Sequence, residues 1–176
     1  ATQIITLRPR PVADFKWSGE CLTDDAIVFE GTETLYNGDG VSFREWKFYD
    51  AGGSLAAVFT TEQAGHHYET VGTYDIRYLV VTSSGCMDST EKQITLIPTY
   101  NIADESYLQD FETLPEGWST SPVSPGGRNS WTWGQVSGGQ FPYTAPSGSH
   151  VWHTVLPQPE MVENSGVYSP CFNFEG

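Results

Sequence analysis

The chain has 176 residues, and with 22 acidic and only 8 basic side chains its formal net charge is −14 at pH 7. Such a charge repels nucleic-acid phosphates and anionic lipids, so neither is an expected partner. No run of about 20 apolar residues is present, so we expect no insertion into a membrane.

The composition predicts an all-β protein. Aromatic residues make up 14% of the chain, and 18 glycines and 11 prolines supply many turns. Short alternating segments between turn-forming residues are typical of β-sandwiches, and no segment shows the period of a long helix. The length allows one large domain or two small ones.

Residues 1–10 are predicted to be the closing strand of a preceding repeat. Residues 3–9 read Gln-Ile-Ile-Thr-Leu-Arg-Pro and residues 93–98 read Gln-Ile-Thr-Leu-Ile-Pro, an echo about 90 residues apart. A tandem array would explain this echo, and the alternative is a coincidence between two short strings. Because no signal peptide opens the chain, we expect an excised piece of a longer protein.

Residues 11–99 are predicted to form one sandwich of six or seven short strands. The strand candidates are Val12–Trp17, Ala26–Phe29, Ser42–Phe48, Leu55–Thr60, Gly72–Thr82 and Gln93–Ile97. The clearest is Gly72–Thr82, where aromatic and β-branched residues alternate with polar ones. This period of two predicts a strand with one face in a core.

The block from His67 to Val81 closely resembles the H-x-Y-x-x-x-G-x-Y-x-V-x-L-x-V signature of PKD (polycystic kidney disease) domains. The residues singled out for it are His67, Tyr68, Gly72 and Tyr74. Upstream, Trp46, Phe48 and Asp50 match the family's W-D-F-G-D-G motif, whereas Tyr49 replaces a glycine, so a different turn is expected there. The resemblance implies an immunoglobulin-like sandwich that buries Trp46, in a family of extracellular spacer and adhesion modules.

Three cysteines are present, Cys21, Cys86 and Cys171. Paired cysteines in many bacterial PKD domains imply a disulfide between Cys21 and Cys86, the alternative being two buried thiols in a reducing compartment. Cys171 is then left with a partner beyond the chain end or as a free thiol.

Residues 100–106 are predicted to be a linker, because they show no periodicity. Residues 107–176 resemble the opening part of jelly-roll modules, namely the cleaved-adhesin domains of secreted bacterial peptidases and the related MAM modules. The motifs that carry this resemblance are Phe111-Glu112, Gly117-Trp118, Trp131-Thr132-Trp133-Gly134, Ser147-Gly148-Ser149 and Tyr168-Ser169-Pro170-Cys171-Phe172.

Asp110 and Glu112 are the candidate metal ligands. At a spacing of two on a strand both carboxylates would face one way, and the jelly-roll resemblance implies Ca²⁺ near this position. The alternative is a pair of exposed acids. Asn37-Gly38-Asp39-Gly40 resembles part of a calcium loop, but its dipeptides favour a hairpin turn.

Trp131, Trp133 and Trp152, with Tyr143, are the candidates for a platform on which sugar rings stack. Trp131 and Trp133 share a face at a spacing of two, which is also typical of a buried strand, and we favour packing for this pair.

No catalytic or nucleotide-binding motif is present, and neither His66–His67 nor His150 and His153 have a spacing that places both rings on one strand face. We therefore expect no enzyme, and no cofactor other than Ca²⁺. The sequence predicts a non-catalytic extracellular spacer and adhesion module of a large secreted or cell-surface bacterial protein. Its expected partners are other domains of the same chain and a polysaccharide or surface protein. The alternative is a carbohydrate-binding accessory module of a secreted hydrolase or protease.

Overall fold

The computed structural model describes residues 9–102, 107–114, 116–122, 128–135, 148–154 and 164–174. The predicted all-β class is confirmed, since every regular element in these ranges is a strand. The described residues contain no helix long and apolar enough to cross a membrane. The chain divides into two compact units, residues 1–97 and residues 98–176. Most of the predicted closing strand, residues 1–8, lies outside the described residues.

The first unit consists of two antiparallel sheets. Its strands are β1 (Phe15–Trp17), β2 (Ile27–Gly31), β3 (Val41–Tyr49), β4 (Leu55–Phe59), β5 (Gln63–His66), β6 (Gly72–Thr82) and β7 (Met87–Leu96). One sheet has the order β1-β2-β5 and the other the order β4-β3-β6-β7. Six of these strands overlap the sequence candidates. The exception is β5, whose Gln-Ala-Gly-His sequence lacks the β-branched residues that identify strands.

An aromatic core lies between the two sheets. The alternation of β6 places Tyr74, Ile76, Tyr78 and Val80 on the buried face, as the period of two predicts. Trp46 is fully buried, and its ring centroid lies 4.2 Å from that of Tyr78. Its indole N–H donates to the carbonyl oxygen of Thr61 at 3.1 Å, so the one polar atom of this side chain is satisfied.

The residues of the PKD-like motif have structural roles, except that the histidine packed against the core is His66 and not His67. The ring of His66 stacks on Phe48 at 4.7 Å and meets Tyr68 edge-on at 4.6 Å, whereas His67 is exposed. His66, and not the motif residue His67, therefore packs against the core. The hydroxyl of Tyr74 donates to the carbonyl oxygen of Thr70 at 2.6 Å, across the turn before β6.

The remaining motif residues shape two turns. Oδ1 of Asp50 accepts the backbone N–H groups of Gly52 at 2.9 Å and Ser54 at 2.8 Å, and thereby closes the turn between β3 and β4. Tyr49 is accommodated because Gly53 takes the positive φ of +80° in this turn. Gly72, at the start of β6, has a φ of +155°.

The described strands of the second unit form three two-stranded ladders. They are β8 (Thr99–Asn101), β9 (Ser119–Pro122), β10 (Trp131–Gln135), β11 (His150–Thr154), β12 (Ser165–Tyr168) and β13 (Cys171–Asn173). The pairs β10–β11 and β9–β12 are antiparallel, and the pair β8–β13 is parallel. The predicted linker 100–106 thus begins inside β8, and residues 103–106 lie outside the described part.

The predicted disulfide between Cys21 and Cys86 is wrong. Cys21 and Cys171 are disulfide-bonded cysteines, whereas Cys86 is a free thiol. Cys21 lies beside Ile97, just after the end of β7, whereas Cys86 precedes the first residue of β7. This strand has 10 residues and is therefore about 30 Å long. A disulfide needs Cα atoms within about 7 Å, so these two cysteines lie too far apart.

Candidate functional site

The tryptophans proposed as a sugar platform share one face of the β10–β11 hairpin. Trp133 lies directly opposite Trp152 in the ladder, and Trp131 lies two residues from Trp133 on the same face. All three side chains are half-buried. Tyr143, the fourth proposed member, lies outside the described residues.

The indole N–H groups of this face are directed at the protein. Trp133 donates to the carbonyl oxygen of Phe111 at 2.8 Å, and Trp131 is 3.4 Å from that of Ser165. Nε1 of Trp152 is buried and has no hydrogen-bond partner among the described residues. These contacts favour an anchoring role, in which the indoles tie the hairpin to neighbouring segments of the second unit.

Glu112 is the polar centre of the second unit. Its Oε1 accepts the backbone N–H groups of Ser149 at 2.8 Å and of His150 at 3.0 Å, and its Oε2 accepts the hydroxyl of Ser149 at 3.0 Å. The N–H groups of His150 and Ser149 lower the pKa of Glu112 to about 2. The carboxylate thereby holds the turn before β11. The motifs Phe-Glu and Ser-Gly-Ser lie far apart in the chain, and no local feature of the sequence predicts that they meet.

Gly148 lies against the carboxylate of Glu112 in this turn and leaves no room for a side chain. Its φ is +68°, and a Cβ atom at this position would lie 2.0 Å from Oε1 of Glu112. A larger residue would therefore displace the carboxylate as well as strain the backbone.

Asp110 and Glu112 are not arranged as the strand prediction required. Phe111 between them has a φ of +62°, so the segment is a bend, and Oδ1 of Asp110 accepts the backbone N–H of Glu112 at 3.0 Å. Ca²⁺ takes about six to eight oxygen ligands. Among the described residues no group of three acidic, histidine or cysteine side chains is gathered for a metal. Both oxygens of Glu112 also accept hydrogen bonds from the turn, and the Ca²⁺ site at Asp110 and Glu112 stays a prediction.

The contacts of His150 differ from those of a catalytic triad. Its Nδ1 lies 3.0 Å from the hydroxyl of Ser149 and 3.5 Å from Oε2 of Glu112, and its ring stacks on Trp133 at 4.9 Å. In a triad the serine and the acid bond opposite ring nitrogens, so that one nitrogen takes the proton of the serine while the acid orients the ring through the other. Here both contacts fall on one nitrogen, which suits a fixed turn and gives no route for activating the serine.

The first unit contains a partly buried ionic network that no sequence motif predicts. Nη2 of Arg44 lies 2.6 Å from Oε1 of Glu33, and the hydroxyl of Tyr78 donates to Oε2 of Glu33 at 2.9 Å. Burial, reinforced by Glu33, raises the pKa of Tyr78 to about 12. Gly31 faces this network, because a Cβ atom there would lie 2.5 Å from the Tyr78 hydroxyl.

The segment Asn37-Gly38-Asp39-Gly40 forms a turn, as its dipeptides predict. Asn37 and Gly38 have φ values of 57° and 69°, and the N–H of Asp39 donates to the carbonyl oxygen of Tyr36 at 3.1 Å. The carboxylate of Asp39 accepts the hydroxyl of Ser84, in the turn between β6 and β7.

Comparisons with known proteins give partial matches. No family model matches the chain. Bacillopeptidase F of Bacillus subtilis (strain 168) is 50% identical over 50 residues, which cover 28% of this chain and only 3% of that protein.

The solved structures similar to the chain include two PKD domains and a carbohydrate-binding module. The PKD1 domain of the Vibrio cholerae metalloprotease PrtV is 20% identical with a TM-score of 0.41, covering 50% of this chain and 98% of the domain. The PKD1 domain of Vibrio anguillarum Epp is 16% identical with a TM-score of 0.43, covering 51% and 96%. A carbohydrate-binding module of the β-sandwich superfamily is 20% identical with a TM-score of 0.46, covering 84% and 54%.

Proposed function

We propose that the chain is a non-catalytic spacer in a larger secreted or cell-surface bacterial protein. In this role the first unit holds the domains before and after it apart. The observation that carries the proposal is that the chain enters and leaves this sandwich at opposite ends of β7.

Hydrogen bonds at both ends of β7 define this path. The N–H of Ala13 donates to Oδ2 of Asp88 at 2.8 Å, and Asp88 is the second residue of the strand. At the other end Ile97 follows the strand, and its N–H donates to the carbonyl oxygen of Glu20 at 2.9 Å. Asp88 and Ile97 are nine residue steps apart along an extended chain, which corresponds to about 30 Å. Each such unit would therefore lengthen the protein by that distance.

The packing of the unit supports a stiff spacer. The strand β6 pairs with β7 over residues 72–81 and with β3 over residues 76–82, and its buried face contacts the aromatic core. Interiors packed in this way resist deformation. The disulfide-bonded state of Cys21 and Cys171 supports an oxidising, extracellular location, since disulfides persist mainly there.

A replacement experiment in the full-length parent protein tests the spacer role. Residues 11–97 would be exchanged for an unrelated sandwich with a similar distance between its ends, or for a flexible Gly/Ser linker of the same residue count. We expect the sandwich to preserve the activity of the parent and the linker to reduce it. Equal loss with both replacements would refute the spacer role and show that this unit makes a specific contact.

A carbohydrate-binding accessory role is the second candidate. The observation in its favour is that Trp131, Trp133 and Trp152 share one face and are each only half-buried. Trp152→Ala should abolish any polysaccharide-induced change in tryptophan fluorescence if this face binds sugar. A change that persists in this variant would place the binding elsewhere.

A further inference from the structure

The outer face of the β1-β2-β5 sheet contains an open groove with a volume of about 370 Å³. The groove belongs to the first unit alone and is distinct from the tryptophan face of the β10–β11 hairpin. Its lining residues are Lys16, Trp17, Ser18, Val28, Glu30 and Gln63.

The sheet register explains why a depression forms here. Lys16 lies opposite Glu30, and Glu30 lies opposite Gln63, so three long polar side chains form one row across the sheet. The next row on this face places Val28 opposite Gly65, which has no side chain. Val28 is consequently 53% exposed, beside a gap that the polar row borders on one side.

The groove presents donors and acceptors around an apolar centre. Nζ of Lys16 lies 3.1 Å from Oε2 of Glu30, and both side chains are largely exposed. The amide of Gln63 and the hydroxyl of Ser18 make no hydrogen bond to the described residues, so they are available to a ligand. Trp17 lines the same groove and contacts the core, where its ring lies 6.0 Å from that of Phe29.

This chemistry selects the class of ligand. A pyranose ring offers apolar C–H groups to the exposed side chain of Val28 and hydroxyl groups to the surrounding polar side chains. The Lys16–Glu30 pair leaves the groove without net charge, and the chain as a whole carries −14, which disfavours anionic polymers. An open groove also suits a polymer that crosses the surface better than a small enclosed molecule.

We propose that this groove binds a neutral polysaccharide. The proposal does not depend on the spacer role, because it concerns the outer face of one sheet and not the distance between the ends of the unit. It also differs from sugar binding by the tryptophan face, and the two can be separated by substitution.

Affinity electrophoresis of the whole chain through gels containing soluble polysaccharides tests the proposal. The neutral probes are xyloglucan, galactomannan and hydroxyethylcellulose, and the acidic probe is polygalacturonate. We expect retardation by at least one neutral polymer and none by the acidic one.

Two variants test the location of the binding. Gly65→Leu fills the gap beside Val28, and it should fold because a Cβ atom at Gly65 meets only Ala26, at 3.7 Å. Gln63→Ala removes one polar group and keeps the surface open. We expect either variant to weaken binding about tenfold, the effect of losing one or two good contacts. Gln93→Ala, on the exposed face of β7, is the matched control and should bind like the unchanged chain.

The outcomes are distinct. Retardation that is reduced in Gly65→Leu and Gln63→Ala but not in Gln93→Ala supports the groove. No retardation by any neutral polymer overturns the proposal, and so does retardation by polygalacturonate alone. Retardation that survives both groove variants but is lost in Trp152→Ala also overturns it and assigns the binding to the second unit. Should Gly65→Leu fail to fold, as judged by its thermal melt, Gln63→Ala decides the question.

Discussion

Replacing Gly31 by alanine should destabilise the first unit strongly. A Cβ atom at this position would lie 2.5 Å from the hydroxyl oxygen of Tyr78, 2.9 Å from its Cζ and 2.8 Å from Oε2 of Glu33. Tyr78 has little room to retreat, because it is fully buried and its ring lies 4.2 Å from that of Trp46. Either the ring moves against the core or the network of Glu33, Arg44 and Tyr78 opens.

The expected loss of stability has two parts, one from crowding in the core and one from the weakened hydrogen bond between Tyr78 and Glu33. Overpacking a core typically costs about 1–3 kcal/mol. Weakening the hydrogen bond from Tyr78 to Glu33, at 2.9 Å, adds about 1–2 kcal/mol, because its acceptor is a largely buried carboxylate. Alanine also restricts the backbone of the unfolded chain, which favours the folded state by roughly 0.4–1 kcal/mol. We therefore expect Gly31→Ala to lower the free energy of unfolding by about 1–4.5 kcal/mol.

Native-state hydrogen exchange of the β6 amides measures this change, because it reports the opening of the first unit without requiring the whole chain to unfold in one step. Gly65→Ala is the matched control, a strand glycine in the same sheet whose Cβ position is open, and it should change the free energy by less than about 0.5 kcal/mol.

A double-mutant cycle tests the mechanism. Tyr78→Phe removes the oxygen that the new methyl group would meet, so Gly31→Ala should cost at least about 1 kcal/mol less in that background. Additive effects, or a Gly31→Ala variant as stable as the unchanged chain, would refute the reasoning.

Three further predictions concern cysteines, pH and calcium. Peptide mapping without reduction should join Cys21 to Cys171 and find Cys86 alkylated, and a Cys21–Cys86 peptide would contradict the structure. Burial against Phe48 lowers the pKa of His66 below its usual 6.5, so its contribution to stability is complete above that pH and is lost as the pH falls below it. The free energy of unfolding, measured by urea titration, should show this loss between pH 7.5 and 5 in the unchanged chain. A His66→Gln variant should not show it. If Ca²⁺ binds as the jelly-roll resemblance implies, millimolar Ca²⁺ should raise the Tm and Asp110→Asn should remove the rise; no rise in the unchanged chain would exclude that site.

The local pattern of the chain was sufficient to predict most of the first unit. The candidate Gly72–Thr82 has the bounds of β6, because a strand with one buried face must alternate along its whole length. The candidate Gln93–Ile97 captured only the end of β7. After the exposed Met87, residues 88–92 of that strand are polar and mostly half-buried, so they carry no apolar period.

The motif resemblance assigned a structural position to His67, whereas His66 is the histidine that packs against the core. His66 and His67 are adjacent, and the sequence does not state which of them faces the core. The pairing of His66 with Ile27 in the β2–β5 ladder fixes its side, and a shift of one residue would exchange the two. The strand β5 could not be predicted either, because a short edge strand without β-branched residues forms only through its pairing with the neighbouring strand.

The sequence by itself determined the all-β class, the aromatic core around Trp46 and the turns at Asn37 and Asp50, because each depends on residues close together in the chain. Only the tertiary structure decided which distant groups meet. It separated Cys21 from Cys86 by the length of β7, brought Glu112 to the turn at Gly148, and set Val28 opposite Gly65 to open a groove. The physical reason is that strand periodicity is a local property, whereas the partners of a strand end or a sheet face follow from strand order and register.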